Sequence, residues 1–381
     1  MPYWRLSGFY LFYFASLGAL IPYWSLYLQS RGFDATEIGN LMATIMATKI
    51  ISPNIWGWVA DHTGRRMAIV RTGCLISMLA FAGVFAADGF LWLLLVMVVF
   101  SFFWNATLPQ FEATTFSHLG DETHRYSRIR LWGSIGFILA VWGLGALLEG
   151  ENIRLLPVIL LLLFGGIWAS SLLVPEEAAG HLSLDHEPLR RVLSRPAVAG
   201  LLAVCFLMQA SHGPYYTFYS IYMKDYGYSL TAIGGLWALG VVAEVLIFLG
   251  MSRLLPVFGL RRLLLGSLLL AALRWLLIAL YPDAFALMVF AQCLHAASFG
   301  IYHAAAIQYV HTFFTGRHQG KGQALYSSLS FGAGGALGSF YSGYLFEGFG
   351  ARSMFLLAVL LALAGFLIAW RWLPRESRSP V

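Results

Sequence analysis

Two ionisable residues lie in the middle of apolar stretches. Lys49 follows "GNLMATIMAT", and Glu244 interrupts "LGVVAEVLIFLG". A buried charge is strongly disfavoured unless it is paired or reached by water. An ammonium in such a place can bind an anion, and a carboxylate can take up and release a proton. Ion binding and proton transfer are therefore the chemistries that these two positions indicate.

Three further polar residues lie in similar surroundings. Arg274 is inside "LAALRWLLIAL" and needs a buried partner, for which Glu244 is the natural candidate. His295 and His303 are eight residues apart, about two turns on one helix face. This spacing favours a polar wall, although a lone histidine in an apolar helix often only joins two helices. A purely structural ion pair is likewise the alternative for Lys49 and Glu244.

The composition indicates a membrane protein. Of 381 residues, 59% are hydrophobic and 11% are charged, whereas soluble domains carry roughly 25% charged residues. The three cysteines lie in apolar runs without the spacing of a disulfide framework or a zinc site, so no metal or cofactor is expected. The first apolar run has no small-residue cleavage site, and we interpret it as a membrane helix.

A span of about 20 apolar residues crosses the hydrocarbon core as a helix. The sequence predicts an all-α membrane protein of twelve spans, near residues 6–28, 38–59, 67–86, 90–115, 129–148, 154–174, 197–223, 232–252, 260–281, 284–311, 323–346 and 352–372. The longest polar connection predicts two six-helix bundles, 1–174 and 196–381, joined by a cytoplasmic linker at 175–195.

Most of the 24 lysines and arginines fall on one side of these spans, which predicts that the N- and C-termini are both cytoplasmic. The exceptions are few: Arg31, Arg154, Lys224 and Arg352 on the outer side, and Lys49 and Arg274 within spans.

The two halves repeat each other. Ser25–Leu41 and Ser220–Leu236 share seven identities without gaps at an offset of 195 residues. The same offset places Lys49 on Glu244, each about 16 Å into its helix. Parallel repeats are typical of transporters that bind substrate between their halves near the midplane. We expect Lys49 and Glu244 on opposite walls of one cavity.

The loop after the second span reads "GWVADHTGRR" and resembles the signature of the major facilitator superfamily at the place where that superfamily carries it. The resemblance implies two six-helix pseudo-symmetric halves and a conformational latch made by Gly57, Asp61, Gly64, Arg65 and Arg66. The matching loop, "GMSRLLPVFGLRR", keeps glycines and the arginine pair but lacks the aspartate.

Longer stretches resemble the 3-phenylpropionic acid transporters, a branch related to lactose permease and to nucleoside proton symporters. They are "YSRIRLWGSIGF", the run 215–248 and "LHAASFGIYHAAAIQY". The resemblance implies a bacterial inner-membrane, multi-pass protein. It also implies that Glu112 and Arg130 bind substrate and that Glu244, Arg274 and His295 couple transport to protons. The alternative for Glu112 and Arg130 is an ion pair at the cytoplasmic surface.

The departures from lactose permease are informative. Its tenth-helix glutamate is Ser298 here, and its seventh-helix acidic pair is missing from 211–220, so the proton machinery is not identical. Lys49 is foreign to that permease and fits a substrate that is itself an anion.

Aromatic residues make up 16% of the chain. A pocket for an aromatic acid would use such rings, and those on spans one, seven and eight are candidates for it: Tyr23, Trp24, Tyr216 and Trp237. Plain packing is the alternative for each. Together with Lys49, Glu112, Arg130 and His303 they form the predicted substrate-binding set.

The sequence predicts a proton-coupled symporter of a small organic anion, with 3-phenylpropionate or a similar aromatic carboxylate as the expected substrate. A sugar or nucleoside symporter is the alternative, followed by a drug exporter. No catalytic residues are expected, and the chain is predicted not to be an enzyme. The expected partners are the substrate, protons and the lipid bilayer, without nucleic acid, for a monomer that needs no cofactor.

Overall fold

Long helices occupy the apolar runs of the sequence. The structure, a computed structural model, describes residues 2–120, 122–176, 189–315 and 318–374, and it has no strand in these ranges. Within these ranges, ten helical segments are long and apolar enough to cross a bilayer. A helix hydrogen-bonds its own backbone N–H and C=O groups, and the hydrocarbon core of a bilayer offers these groups no other partner. The predicted all-α membrane fold is confirmed.

The first half of the chain forms six long helices. They are α1 (Tyr3–Ser30), α2 (Ala35–Thr63), α3 (Arg66–Phe81, with a 3₁₀ turn at Ala82–Phe85), α4 (Phe90–Leu119), α5 (Tyr126–Leu147) and α6 (Leu156–Leu172).

The second half forms six more. They are α7 (Pro196–Asp225), α8 (Leu230–Phe258), α9 (Leu260–Leu280), α10 (Phe285–Phe313), α11 (His318–Ser327 continued by Ser328–Gly334 and Gly335–Phe349) and α12 (Ala351–Trp372). Helices α10 and α11 each contain a π-helical stretch, at Ala296–Ile301 and Ser328–Gly334.

Helices α2 and α11 are not among the ten apolar segments, but they lie where the spans 38–59 and 323–346 are predicted. Helix α2 carries the charged residues Glu37, Lys49 and Asp61, which lower its hydropathy. The twelve long helices therefore match the twelve predicted spans in the described part of the chain.

Local sequence explains where α2 begins and ends. The Asp34 side chain accepts from the Glu37 amide at 2.8 Å, and the Glu37 carboxylate accepts from the Asp34 amide at 3.1 Å, a capping box. The helix stops at Gly64, whose φ of 66° is the left-handed conformation that glycine adopts at helix ends.

Contacts group the chain into two units. The first contains Met1–His181 and Tyr216–Ala238, and the second contains Leu182–Tyr215 and Leu239–Val381. Helices α7 and α8 thus contribute to both. Most of the predicted linker, residues 177–188, lies outside the described residues, and the division at 175–195 stays a prediction.

Each unit is built on close helix crossings. In the first, α1 packs on α5 and α6, and α4 packs on α2 and α3. In the second, α9 packs on α10 and α12. Gly334 and Gly338 bring α11 against α7, where a Cβ on Gly334 would lie 2.5 Å from the Phe206 carbonyl oxygen. Small residues four apart are the usual means of such close approach in membranes.

Candidate functional site

Arg274 is the centre of a buried polar network in the second unit. It lies on α9 and is 0% exposed. One terminal nitrogen, Nη1, donates to His295 Nδ1 at 2.9 Å and to Ser298 Oγ at 3.1 Å, and Nη2 donates to Gln292 Oε1 at 3.0 Å. Its guanidinium also lies over the Tyr215 ring at 4.2 Å. These contacts hold the cation in one position.

The bond from Arg274 fixes the protonation of His295. Arginine is only a donor, so His295 Nδ1 must accept and the imidazole proton must sit on Nε2. His295 Nε2 lies 3.3 Å from Glu244 Oε2. The neutral imidazole therefore presents its N–H to the carboxylate, and His295 links Glu244 to Arg274.

Glycines let α8 and α10 approach closely at this network. A Cβ on Gly240 would lie 3.4 Å from Gln292 Oε1 and 3.5 Å from the His295 side chain. A Cβ on Gly300 would lie 2.6 Å from Ile247 Cγ2. Gly240 of α8 and Gly300 of α10 thus let the Glu244 turn of α8 lie against the His295 turn of α10.

The network has spare donors. Arg274 Nε and Gln292 Nε2 are buried and have no hydrogen-bond partner among the described residues. A buried donor left unpaired costs about 1–3 kcal/mol.

Lys49, which the repeat matches to Glu244, has different surroundings. It lies on α2 in the first unit and is half-buried. Just before it, Thr48 donates to Ser101 Oγ at 2.9 Å and accepts from Asn105 Nδ2 at 2.9 Å, which fastens α2 to α4. Within the described ranges, no hydrogen bond or ion pair involves the ammonium. Among the described residues, Lys49 is therefore a cation without a paired counter-charge.

Glu112 and Arg130 lie near each other without an ion pair between them in the described part of the chain. Glu112 accepts from the Tyr126 hydroxyl at 3.1 Å. The Arg130 guanidinium lies 3.7 Å from the Phe14 ring centroid and 5.9 Å from that of Tyr10. Both charged residues are half-buried. Their role in substrate binding stays a prediction, and the aromatic groups around them were not predicted.

The predicted aromatic candidates are mostly occupied in packing. The Tyr23 hydroxyl donates to the Val141 carbonyl at 2.5 Å. Trp24 is 0% exposed and stacks on Tyr27 at 5.0 Å.

Trp237 donates to Ser220 Oγ at 3.0 Å and lies 6.4 Å from the Tyr216 ring, both within the first unit. These contacts favour the packing alternative for Tyr23 and Trp24.

His303 lies on α10 two turns beyond His295. Its Nδ1 is 2.9 Å from the Tyr326 hydroxyl of α11. Phe299 lies between the two histidines, stacked on His295 at 5.4 Å and on His303 at 5.8 Å. The predicted shared face of His295 and His303 is present, with an aromatic ring between them.

The predicted latch residues surround the turn between α2 and α3. Asp61 Oδ1 lies 3.5 Å from Arg66 Nη2, and Asp61 is largely exposed. A Cβ on Gly57 would lie 3.6 Å from Gln110 Nε2 of α4. Gly64 forms the left-handed turn that precedes Arg65.

A residue that sequence reasoning missed caps the next helix. Glu176, after α6, accepts from the Met67 amide in the first turn of α3 at 3.0 Å. A carboxylate at a helix N-terminus is favoured by the unpaired amides and the helix dipole. No sequence signal connected Glu176 with the latch, because the pairing spans 109 residues.

Comparison with known proteins finds transporters of similar sequence and fold. The chain is 29% identical over 379 residues to a probable 3-phenylpropionic acid transporter of Escherichia coli, covering 96% of each chain. It is 26% identical to the maltose permease of Geobacillus stearothermophilus, covering 97% of this chain and 94% of the permease. Among solved structures, the nucleoside transporter NupG superposes with a TM-score of 0.86 at 16% identity, covering 97% and 98% of the chains.

Fold and relatives together define a secondary transporter of the major facilitator type, a multi-pass membrane protein that carries a small molecule and is not an enzyme. The chain belongs to the MFS_1-like family, whose sequence model matches residues 3–357.

Proposed function

We propose that this transporter is a proton-coupled symporter of a small organic anion, a carboxylate of the 3-phenylpropionate kind. The observation that carries the proposal is the linked group Glu244–His295–Arg274, a carboxylate bonded through a neutral imidazole to a buried cation. Charged groups inside membrane spans are rare, and they mark ion and proton pathways.

Lys49 supports an anionic substrate. A half-buried ammonium without a counter-charge among the described residues attracts a carboxylate. A charge-assisted hydrogen bond of this kind contributes about 1.5–3 kcal/mol. The printed name of the Escherichia coli relative, a probable 3-phenylpropionic acid transporter, favours the same substrate class.

The proton is carried by Glu244. In its ionised form the carboxylate accepts from His295 Nε2, and on protonation it no longer needs that donor. A proton added at Glu244 and an anion added at Lys49 cancel in charge. The loaded and empty forms then carry the same net charge, so one proton and one monocarboxylate cross together without moving net charge.

The protein works as a monomer with both termini cytoplasmic, in the inner membrane of a bacterium. The distribution of lysine and arginine along the chain supports this orientation.

Proteoliposomes test the function directly. With the lumen more alkaline than the medium, labelled 3-phenylpropionate should accumulate, and a protonophore that collapses the gradient should abolish accumulation. A membrane potential set by potassium and valinomycin, without a pH gradient, should drive nothing. Uptake unaffected by the pH gradient would overturn proton coupling, and uptake of a neutral solute in preference to the acid would overturn the anion assignment.

A nucleoside or sugar symporter is the second candidate. Its support is the 27% identity to a putative nucleoside transporter of Escherichia coli over 86% of this chain, together with the maltose permease. Lys49 separates the two candidates, because a neutral solute offers no charge for its ammonium. Uptake of uridine or maltose that survives Lys49→Gln would favour this second function.

A further inference from the structure

We propose that Phe299, His303, Tyr326 and Phe331 form a subsite that binds the aromatic ring of the substrate. The inference rests on the proposed function and specifies its organic anion as an aryl carboxylate. All four residues belong to the second unit, on α10 and α11. We call these four residues the ring subsite.

Two neighbouring helices are distorted where they contribute to this group. The π-helical stretch Ala296–Ile301 contains Phe299, and the stretch Ser328–Gly334 contains Phe331. A π-helical turn is less stable than a regular one and occurs frequently at functional sites. The two turns bring the rings of Phe299 and Phe331 within 6.2 Å of each other.

Glycines in both turns hold the distortions in place. Gly300 faces Ile247 and Glu244 of α8, and Gly334 faces the Phe206 carbonyl of α7. Each π-helical turn thus lies against a neighbouring helix at a glycine. Gly300 directly follows Phe299, and Gly334 is three residues after Phe331.

The planes of these rings are inclined to one another. The Phe331 ring lies 6.2 Å from Phe299 at 57° and 5.9 Å from His303 at 60°. Tyr326 closes one side, 5.8 Å from Phe331 at 83° and hydrogen-bonded to His303 Nδ1 at 2.9 Å. Ring planes inclined in this way present faces and edges together, the arrangement that a further ring prefers for offset or edge-to-face contact.

Three of the four side chains are partly exposed. Phe299, His303 and Phe331 are each half-buried, whereas Tyr326 is only 2% exposed. The Tyr326 hydroxyl is hydrogen-bonded to one ring nitrogen of His303, and the two phenylalanines offer only apolar atoms. A sugar would require many hydrogen bonds at this place, and a phenyl ring requires none.

The ring subsite adjoins the proton-coupling group. Phe299 stacks on His295 at 5.4 Å with an angle of 10° between the planes, and His295 contacts Glu244. A ring bound against Phe299 therefore presses on the imidazole that holds the carboxylate. Substrate occupancy and the protonation of Glu244 are connected through a single side chain.

Ligand pairs that differ only in ring type test the proposal. Binding of 3-phenylpropionate and 3-cyclohexylpropionate is measured calorimetrically on the purified full-length protein at one pH. The two acids have the same charge and nearly the same size, but only one has a π-system. Aromatic contacts correspond to about 3- to 10-fold in affinity, so the wild type should prefer the phenyl acid by that factor.

Phe299→Leu and Phe331→Leu should each weaken binding of the phenyl acid about 3- to 10-fold and leave the cyclohexyl acid unchanged. Phe299→Tyr keeps an aromatic ring at this position and should retain the preference for the phenyl acid over the cyclohexyl acid. Phe290→Leu is the matched control, since Phe290 lies on the same helix and is 50% exposed; it should alter neither affinity.

Equal losses for both acids in the two leucine variants would overturn the ring subsite in favour of ordinary packing. A wild type that accumulates organic acids under a pH gradient without preferring the phenyl acid would also overturn it, while leaving the transport function intact. A wild type that takes up no carboxylate would overturn both.

Discussion

The two units hold their mid-helix charges in opposite ways. In the second, Arg274 donates three hydrogen bonds, and Glu244 is joined to it through His295. In the first, Lys49 has no hydrogen-bond or ion-pair partner among the described residues. Arg130 there lies over the Phe14 ring and forms no ion pair with the nearby Glu112 in the described part of the chain. Yet Lys49 and Glu244 occupy matching positions of the internal repeat.

The difference indicates a division of labour. A charge that the protein itself neutralises can change protonation while its surroundings compensate. A charge that the protein leaves unneutralised can be neutralised by a ligand. We therefore propose that proton coupling belongs to the second unit and anion binding to the first. The internal repeat places Lys49 and Glu244 at matching positions, and the two residues carry opposite charges.

Removal of Arg274 should have the largest effect. Arg274→Leu leaves the buried acceptors on His295, Ser298 and Gln292 without their donor, and an unpaired buried polar group costs about 1–3 kcal/mol. The free energy of unfolding in detergent, measured by denaturant titration, should fall by that amount. Arg130→Leu is the matched control in the first unit and should cost far less, because no ion pair is broken in the described structure. Equal losses of unfolding free energy in the two variants would contradict the proposed difference between the two units.

Replacement of Lys49 should change affinity rather than stability. Lys49→Gln removes a charge-assisted bond to the substrate carboxylate, so the Kd of the acid should rise about 10- to 100-fold. The thermal midpoint should stay constant, because the described structure gives the ammonium no partner to lose. Unchanged affinity together with a lower midpoint would instead support a structural role for Lys49.

The latch should give the smallest effect. Asp61 and Arg66 form an exposed pair at 3.5 Å, and such pairs contribute about 0–1 kcal/mol. Asp61→Asn should therefore slow turnover by no more than about fivefold, with Kd unchanged. Arg261, in the arginine pair of the matching loop, donates to the Trp370 carbonyl at 2.6 Å. A large loss of affinity in Asp61→Asn would contradict the latch assignment.

Hydropathy and the charge distribution predict the helices because they depend on residues close in sequence. Helix α2 carries Glu37, Lys49 and Asp61 and is not among the ten long apolar segments. Its apolar run was still sufficient to predict a span at 38–59.

The contacts of the site were harder to predict. The sequence suggested Glu244 as the partner of Arg274, and the structure places His295 between them. Phe299 and Phe331 gave no signal, because π-helical turns have no simple hydrophobic period. Glu176 was missed because its contact with Met67 depends on where α6 ends relative to α3. Such contacts follow from three-dimensional packing, which no local pattern contains.

The assignment of coupling to Glu244 is tested most directly by Glu244→Gln, which mimics the protonated carboxylate permanently. In proteoliposomes this variant should still exchange labelled for unlabelled 3-phenylpropionate, because exchange needs no net proton movement, and it should not accumulate substrate under a pH gradient. Lys49→Gln, measured in parallel below saturation, should lose both activities. Normal accumulation by Glu244→Gln would contradict the assignment and move proton coupling to His295 or Glu112.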